Sequence, residues 1–266
     1  MEKQKYDKCI PDDFWKMTLE DCYAKNYLDA YSILARGFWC CENKPKEGKL
    51  LLTGINPSYN RTLNKPTTPF ADLKGGFWEK KKEQFGKLWN DDTMSYLDLF
   101  PIRESDQRHF EQSFDNNEHI RSIRGNILKV TQDSIEEMKP LLIVHANKDS
   151  LYYWGIKKNT PAGDDANDYE HPWMGYKVKR VTLETYPDLP PCMLEYDRLS
   201  LFPLYEIVGF VDSDKRINHI ERQETNLKFI MEYVMDDRHP NYKGKLYHKE
   251  EWVKIWEWVK ELSPAD

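Results

Sequence analysis

Short apolar runs alternate with longer amphipathic stretches along this chain. Residues 49–54, KLLLTG, read as a buried strand that stops at Gly54-Ile55-Asn56-Pro57-Ser58, a strand-to-loop sequence. Residues 94–100, MSYLDLF, form a second run halted by Pro101, and residues 140–146, PLLIVHA, a third. Residues 204–211, LYEIVGFV, are the strongest candidate for a fourth core strand. Helical spacing predicts helices over 11–35, 77–90, 117–138, 220–235 and 247–262. In the first, Trp15, Leu19, Cys22 and Tyr23 keep the helical period, and Tyr27, Tyr31 and Leu34 continue it. In the last, Trp252, Ile255, Trp256 and Val259 make an apolar stripe of the kind that packs into a core. Residues 59–76 and 159–172 are polar loops, and residues 174–183 and 192–196 could pair as an extra hairpin.

This rhythm predicts an α/β fold in one domain spanning residues 1–266. Its expected form is a three-layer sandwich: a central, mainly parallel four-stranded sheet with helices on both faces and right-handed crossovers.

Composition narrows the class. Aromatic residues make up 14% of the 266, with 9 Trp and 16 Tyr, which excludes a disordered chain. No window approaches the ~18 uninterrupted apolar residues of a membrane helix. The charged N-terminal residues have no apolar segment of the signal-peptide kind, so no membrane partner is expected. The five cysteines (Cys9, Cys22, Cys40, Cys41 and Cys192) include no C-x-x-C pair, which points to packed thiols in a reducing compartment, the cytoplasm. No metal and no cofactor is expected: the acidic loop around Asp164, Asp165 and Asp168 does not match a calcium-loop spacing. The net charge of −6 argues against a dedicated duplex-DNA binder, although local patches matter more than the sum.

In open parallel sheets, ligands bind beyond the carboxyl ends of the strands. The residues to weigh are therefore Asn56, Pro57 and Ser58; Asp98 and Arg103; His145, Asn147 and Asp149; and Asp212, Ser213 and His219. Each also has a plainer reading. Asn56-Pro57 could simply turn the chain, His145 could be a hydrogen-bonded core residue, and Lys80, Lys81 and Lys82 could form a solvated helix face.

The stretch LLLTGINPSYN resembles the first motif of the uracil-DNA glycosylase superfamily, in the form of its mismatch-specific uracil/thymine branch. Residues 69–78, PFADLKGGFW, resemble that branch's Pro-Phe-Ala segment leading into a helix. YLDLFPIR and HANKDSLYYWG are weaker matches, and the resemblance spans roughly residues 48–155. It implies a DNA N-glycosylase, a hydrolase of DNA repair acting as a monomer on a flipped, damaged or mismatched base. Asn56 would hold the attacking water, and Phe70 would stack on the base. Gly54, Ile55, Pro57 and Ser58 would contact the base or the adjacent phosphate. Two departures follow. Asp98 stands where the superfamily usually has an Asn reading the base, and a carboxylate accepts hydrogen bonds but cannot donate one. After strand four the chain has Asp212-Ser213-Asp214 in place of a His-Pro-Ser or Asn-Pro-Ser loop. The rival reading is a catalytically inactive protein of the same fold that binds a nucleobase, a nucleotide or a single strand.

Overall fold

The computed structural model describes residues 12–38, 47–59, 73–115, 118–146, 149–157, 160–198, 204–211, 229–232 and 249–262. A six-stranded sheet runs through it in the order β2-β1-β3-β6-β5-β4. These strands are β1 (Leu50–Gly54), β2 (Met94–Asp98), β3 (Leu142–His145), β4 (Tyr176–Arg180), β5 (Leu204–Phe210) and β6 (Phe229–Glu232). β2, β1, β3 and β6 are mutually parallel, whereas β5 runs antiparallel to both β6 and β4.

Every residue of β1, β2 and β3 is buried, as a parallel sheet covered on both faces requires. Alternation divides their side chains between two cores. Leu51, Leu97 and Ile143 face one layer, with α1 (Asp12–Ala24), α2 (Leu28–Leu34), α4 (Gln107–Ser113), α5 (Glu118–Met138) and α6 (Ser150–Trp154). Leu50, Leu52, Met94, Tyr96, Leu142 and Val144 face the other, with α3 (Gly76–Phe85), α7 (Pro191–Arg198) and α8 (Lys249–Leu262). On α8, Trp252, Ile255 and Val259 are fully buried, and the Trp252 ring packs 4.6 Å from Phe85. No helix among the described residues is long and apolar enough to cross a membrane.

The structure corrects several sequence expectations. The sheet has six strands rather than four. The parallel neighbour of β3 on the side away from β1 is β6, within a stretch expected to be helical, because the four residues FIME are too short to show an alternation. Residues 204–211 supply β5, which is antiparallel and only partly buried. The hairpin expected between 174–183 and 192–196 does not form: β4 pairs with β5, while Pro191 opens α7. Proline suits a first helical position because its missing N–H would have no intrahelical partner there. The helix expected over 11–35 is two helices. Asn26 takes a positive φ of 58°, and Tyr27 N–H returns to the Cys22 carbonyl at 2.9 Å, a left-handed cap of the type Asn tolerates.

The chain reverses its winding around β1. β1 connects to β2 through α3 on one face, while the segments after β2 and β3 lead to α4, α5 and α6 on the other. Such a reversal opens a crevice at the carboxyl end of the central strand, where residues 54–59 lie.

Candidate functional site at the carboxyl end of strand β1

Beyond Gly54 the segments that follow β1 and β2 remain laced together. Leu99 N–H donates to the Gly54 carbonyl at 3.0 Å, Phe100 N–H to Ile55 at 2.8 Å, and Glu104 N–H to Pro57 at 3.0 Å. The Asn56 side chain fastens this seam. Its Nδ2 donates to the carbonyls of Glu104 at 2.7 Å and Ile102 at 3.1 Å, with Pro57 O at 3.4 Å. Its Oδ1 accepts from Gln107 Nε2 at 2.5 Å. Two carbonyl acceptors fix the amide's orientation, since only its NH₂ can donate. One acceptor lone pair on Oδ1 remains, and that atom could orient a water. Ile55 and Pro57 are buried and Ser58 is exposed.

Glu104 is the charged centre of the cluster. Its carboxylate accepts from Arg36 Nη1 at 2.7 Å, His109 Nδ1 at 2.8 Å, Ser105 N–H at 2.7 Å and Asp106 N–H at 3.0 Å. Burial pushes its pKa up, but the Asp106 N–H, His109 and Arg36 outweigh that and hold it down at about 2. The guanidiniums of Arg36 and Arg103 lie 4.6 and 5.3 Å from the Tyr59 ring centroid. Ser105 Oγ accepts from Tyr59 N–H at 2.9 Å and donates to its carbonyl at 3.1 Å.

The depressed pKa has a testable consequence. A carboxylate of this kind stabilises the fold above its unfolded value of about 4.5, and that stability is lost as pH falls toward 2. Allowing for the partly exposed Arg36 and His109, roughly 2 kcal/mol is expected to disappear over that window. Glu104→Gln should flatten the acid limb of a denaturation-against-pH curve; an unchanged limb would show that Glu104 carries no such stability.

Asp98 lies on the α3 side of the sheet, paired in register with Gly54. Tyr96 Oη donates to its Oδ1 at 2.6 Å, and Oδ2 has no partner among the described residues. Burial pushes the Asp98 pKa up to about 7, against the lowering effect of the Tyr96 bond. Gly54 is there for space: a Cβ would stand 2.4 Å from Asp98 Oδ1 and 2.6 Å from the Tyr96 hydroxyl. Trp78 closes edge-on over Tyr96 at 4.7 Å, so the Phe-Trp pair that ends the second sequence motif reaches the neighbourhood of Asp98.

His145 ends β3 on the opposite face. Its Nδ1 lies 3.0 Å from Thr53 Oγ1 and 3.1 Å from Ser150 Oγ, its ring meets Trp154 edge-on, and burial lowers its pKa to about 3. It is a neutral core residue, separated from Asp98 by the sheet. Asp165 and Asp168 accept hydrogen bonds within their own loop, from Asn167 N–H and from Glu170 N–H. Asp168 joins Glu170 and His171 in a group of ligand-type side chains of which only Glu170 is fully exposed.

The structure thus gathers Gly54, Ile55, Asn56, Pro57, Ser58, Asp98 and Arg103 at one end of β1 and β2. Phe70, Asn147, Asp212, Ser213 and His219 lie outside the described residues. Sequence reasoning missed Arg36, Glu104, Gln107 and His109. The one local signal was Asp106, whose side chain caps α4 by accepting from His109 N–H at 3.1 Å. Comparison with protein-family models, with curated proteins and with solved structures finds no match for this chain.

Proposed function

We propose that this chain is a DNA glycosylase-like hydrolase of the uracil-DNA glycosylase fold, cleaving the N-glycosidic bond of a flipped, damaged or mismatched base. The observation that carries the reading is the placement of the Gly54-Ile55-Asn56-Pro57-Ser58 loop at the carboxyl end of the central parallel strand, with Asp98 beside Gly54. Glycosidic cleavage needs an oriented water on the sugar and fixed dipoles for the departing base. Asn56 Oδ1 is the candidate for the first. For the second, a carboxyl whose pKa is raised to about 7 is substantially protonated near neutral pH. In that form Asp98 offers a donor as well as an acceptor, as the amide it replaces would. Phe70 is the proposed stacking platform. Asp212 and Ser213, expected from the sequence as further base contacts, follow the carboxyl end of β5, which its antiparallel pairing with β6 puts at the edge of the sheet opposite the Asn56 loop, and they take no part in this proposal. DNA repair, a cytoplasmic location and a monomeric state belong to the same proposal.

The rival reading, a non-catalytic binder of a nucleobase, nucleotide or single strand, draws support from Asn56, whose amide donors are already committed to protein carbonyls. Single-stranded and mismatched oligonucleotides carrying uracil, hypoxanthine, xanthine or a thymine mispair separate the two. Release of free base supports the hydrolase, and binding without release supports the binder. Neither release nor binding by folded protein would refute both nucleic-acid readings.

A further inference from the structure

Glu104 and His109 have no assigned part in the cleavage described above, yet they form a directed pair in the same cluster. Glu104 is only 7% exposed and is held by four donors, whereas the His109 ring is 42% exposed. A carboxylate can only accept, so the nitrogen facing it, Nδ1, carries the proton. In the neutral imidazole the lone pair is then on Nε2. The pair is anchored to Asn56 twice over. Glu104 gives Asn56 its closest carbonyl acceptor at 2.7 Å, and Gln107, two residues before His109, donates to Asn56 Oδ1 at 2.5 Å. The charged neighbours of the ring are Glu104, Arg36 across the same carboxylate, and Asp106 at its backbone N–H.

We infer that His109 is the general base of this site, with Glu104 as its positioning residue. The inference rests on the glycosylase reading and adds to it. An Asn can orient a water but cannot take its proton, and His109 supplies that missing function. The water oxygen bonds to C1′ of the sugar while the C1′–N bond breaks, its electron pair leaving with the base. The water proton passes to His109 Nε2, Glu104 stabilises the imidazolium, and the proton then goes to the departed base.

His109→Asn is the discriminating variant, because its amide keeps a donor near the Nδ1 position and lacks any equivalent of Nε2. In the full-length protein, with single-stranded oligonucleotides carrying deoxyuridine or deoxyinosine, the native rate is expected to rise with pH up to about 7, above which Asp98 loses its donor. His109→Asn should lose that rise and about 100-fold in rate while oligonucleotide binding stays unchanged. Glu104→Gln should keep the acceptor for Nδ1 and lower the rate less. If native protein releases base and His109→Asn keeps both the rate and the pH dependence, the inference is overturned and the glycosylase reading stands. If native protein releases no base, both fall together.

Discussion

Replacing Asn56 by alanine is expected to destabilise the protein by about 2–4 kcal/mol and to lower base release by about two orders of magnitude or more. The first effect follows from the hydrogen bonds. Asn56 is 9% exposed, and its Nδ2 serves the carbonyls of Ile102 and Glu104. Without it, those acceptors and Gln107 Nε2 lose a partner where water has little access, at ~1–3 kcal/mol for each group left unsatisfied and less where water fills the space. Chemical denaturation measures this directly. The second effect follows from removing the group that orients the water, and it must be measured well below the melting temperature so that loop loosening does not imitate it. Gln107→Ala provides the control. It leaves both carbonyl bonds of Asn56 in place and frees Oδ1, so it should cost no more than ~1.5 kcal/mol of stability. If Gln107→Ala and Asn56→Ala lose the same stability, the clamp assigned to Asn56 is wrong.

The parallel centre of the fold was legible in the sequence because its signals are local. KLLLTG, MSYLDLF and PLLIVHA are apolar on both faces, and each is followed or preceded by a long amphipathic helix. The antiparallel edge was not. β5 carries partly exposed residues that fit either direction of pairing, and β6 is too short to declare a period. The site divides the same way. Asn56 and Asp98 stand where strand ends place them, so the rule for parallel sheets finds them. The partners of Asn56 are backbone carbonyls 46 and 48 residues away, and a carbonyl leaves no mark in a sequence. Glu104, likewise, becomes a hub only when the turn after α2 delivers Arg36 to it. What the sequence presents as a single functional asparagine is in the folded chain also a structural clamp.

The second large effect is expected from Asp98→Asn, and it changes with pH. Asp98 is 3% exposed, and its pKa is raised by burial from 3.8 to about 7. Between those values the folded carboxyl keeps a proton that the unfolded chain has released. The contribution of Asp98 to stability is therefore greatest below pH 3.8 and falls as pH rises to about 7. The asparagine does not ionise and is free of this penalty. Its Oδ1 still accepts from Tyr96, and its NH₂ occupies the place of the acid's unpartnered O–H. At pH 3 the variant should match the native protein, and at pH 8 it should be more stable by roughly 2–4 kcal/mol. Equal stability of the two proteins at pH 8 would mean that Asp98 ionises without cost in the fold. The same change bears on substrate choice. A permanent donor at position 98 should speed release of uracil most at alkaline pH, where the native carboxyl has lost its own donor.

The central claim is that the loop at the end of β1 breaks a glycosidic bond. Formation of abasic sites in end-labelled single-stranded oligonucleotides carrying uracil or hypoxanthine, read as alkali-labile nicks with native protein and Asn56→Ala side by side, tests it most directly. The expected result is nicking at the modified base by native protein, reduced by about two orders of magnitude or more in the variant. Nicking at equal rates in both proteins, or none from native protein that is folded and binds the oligonucleotide, would contradict it.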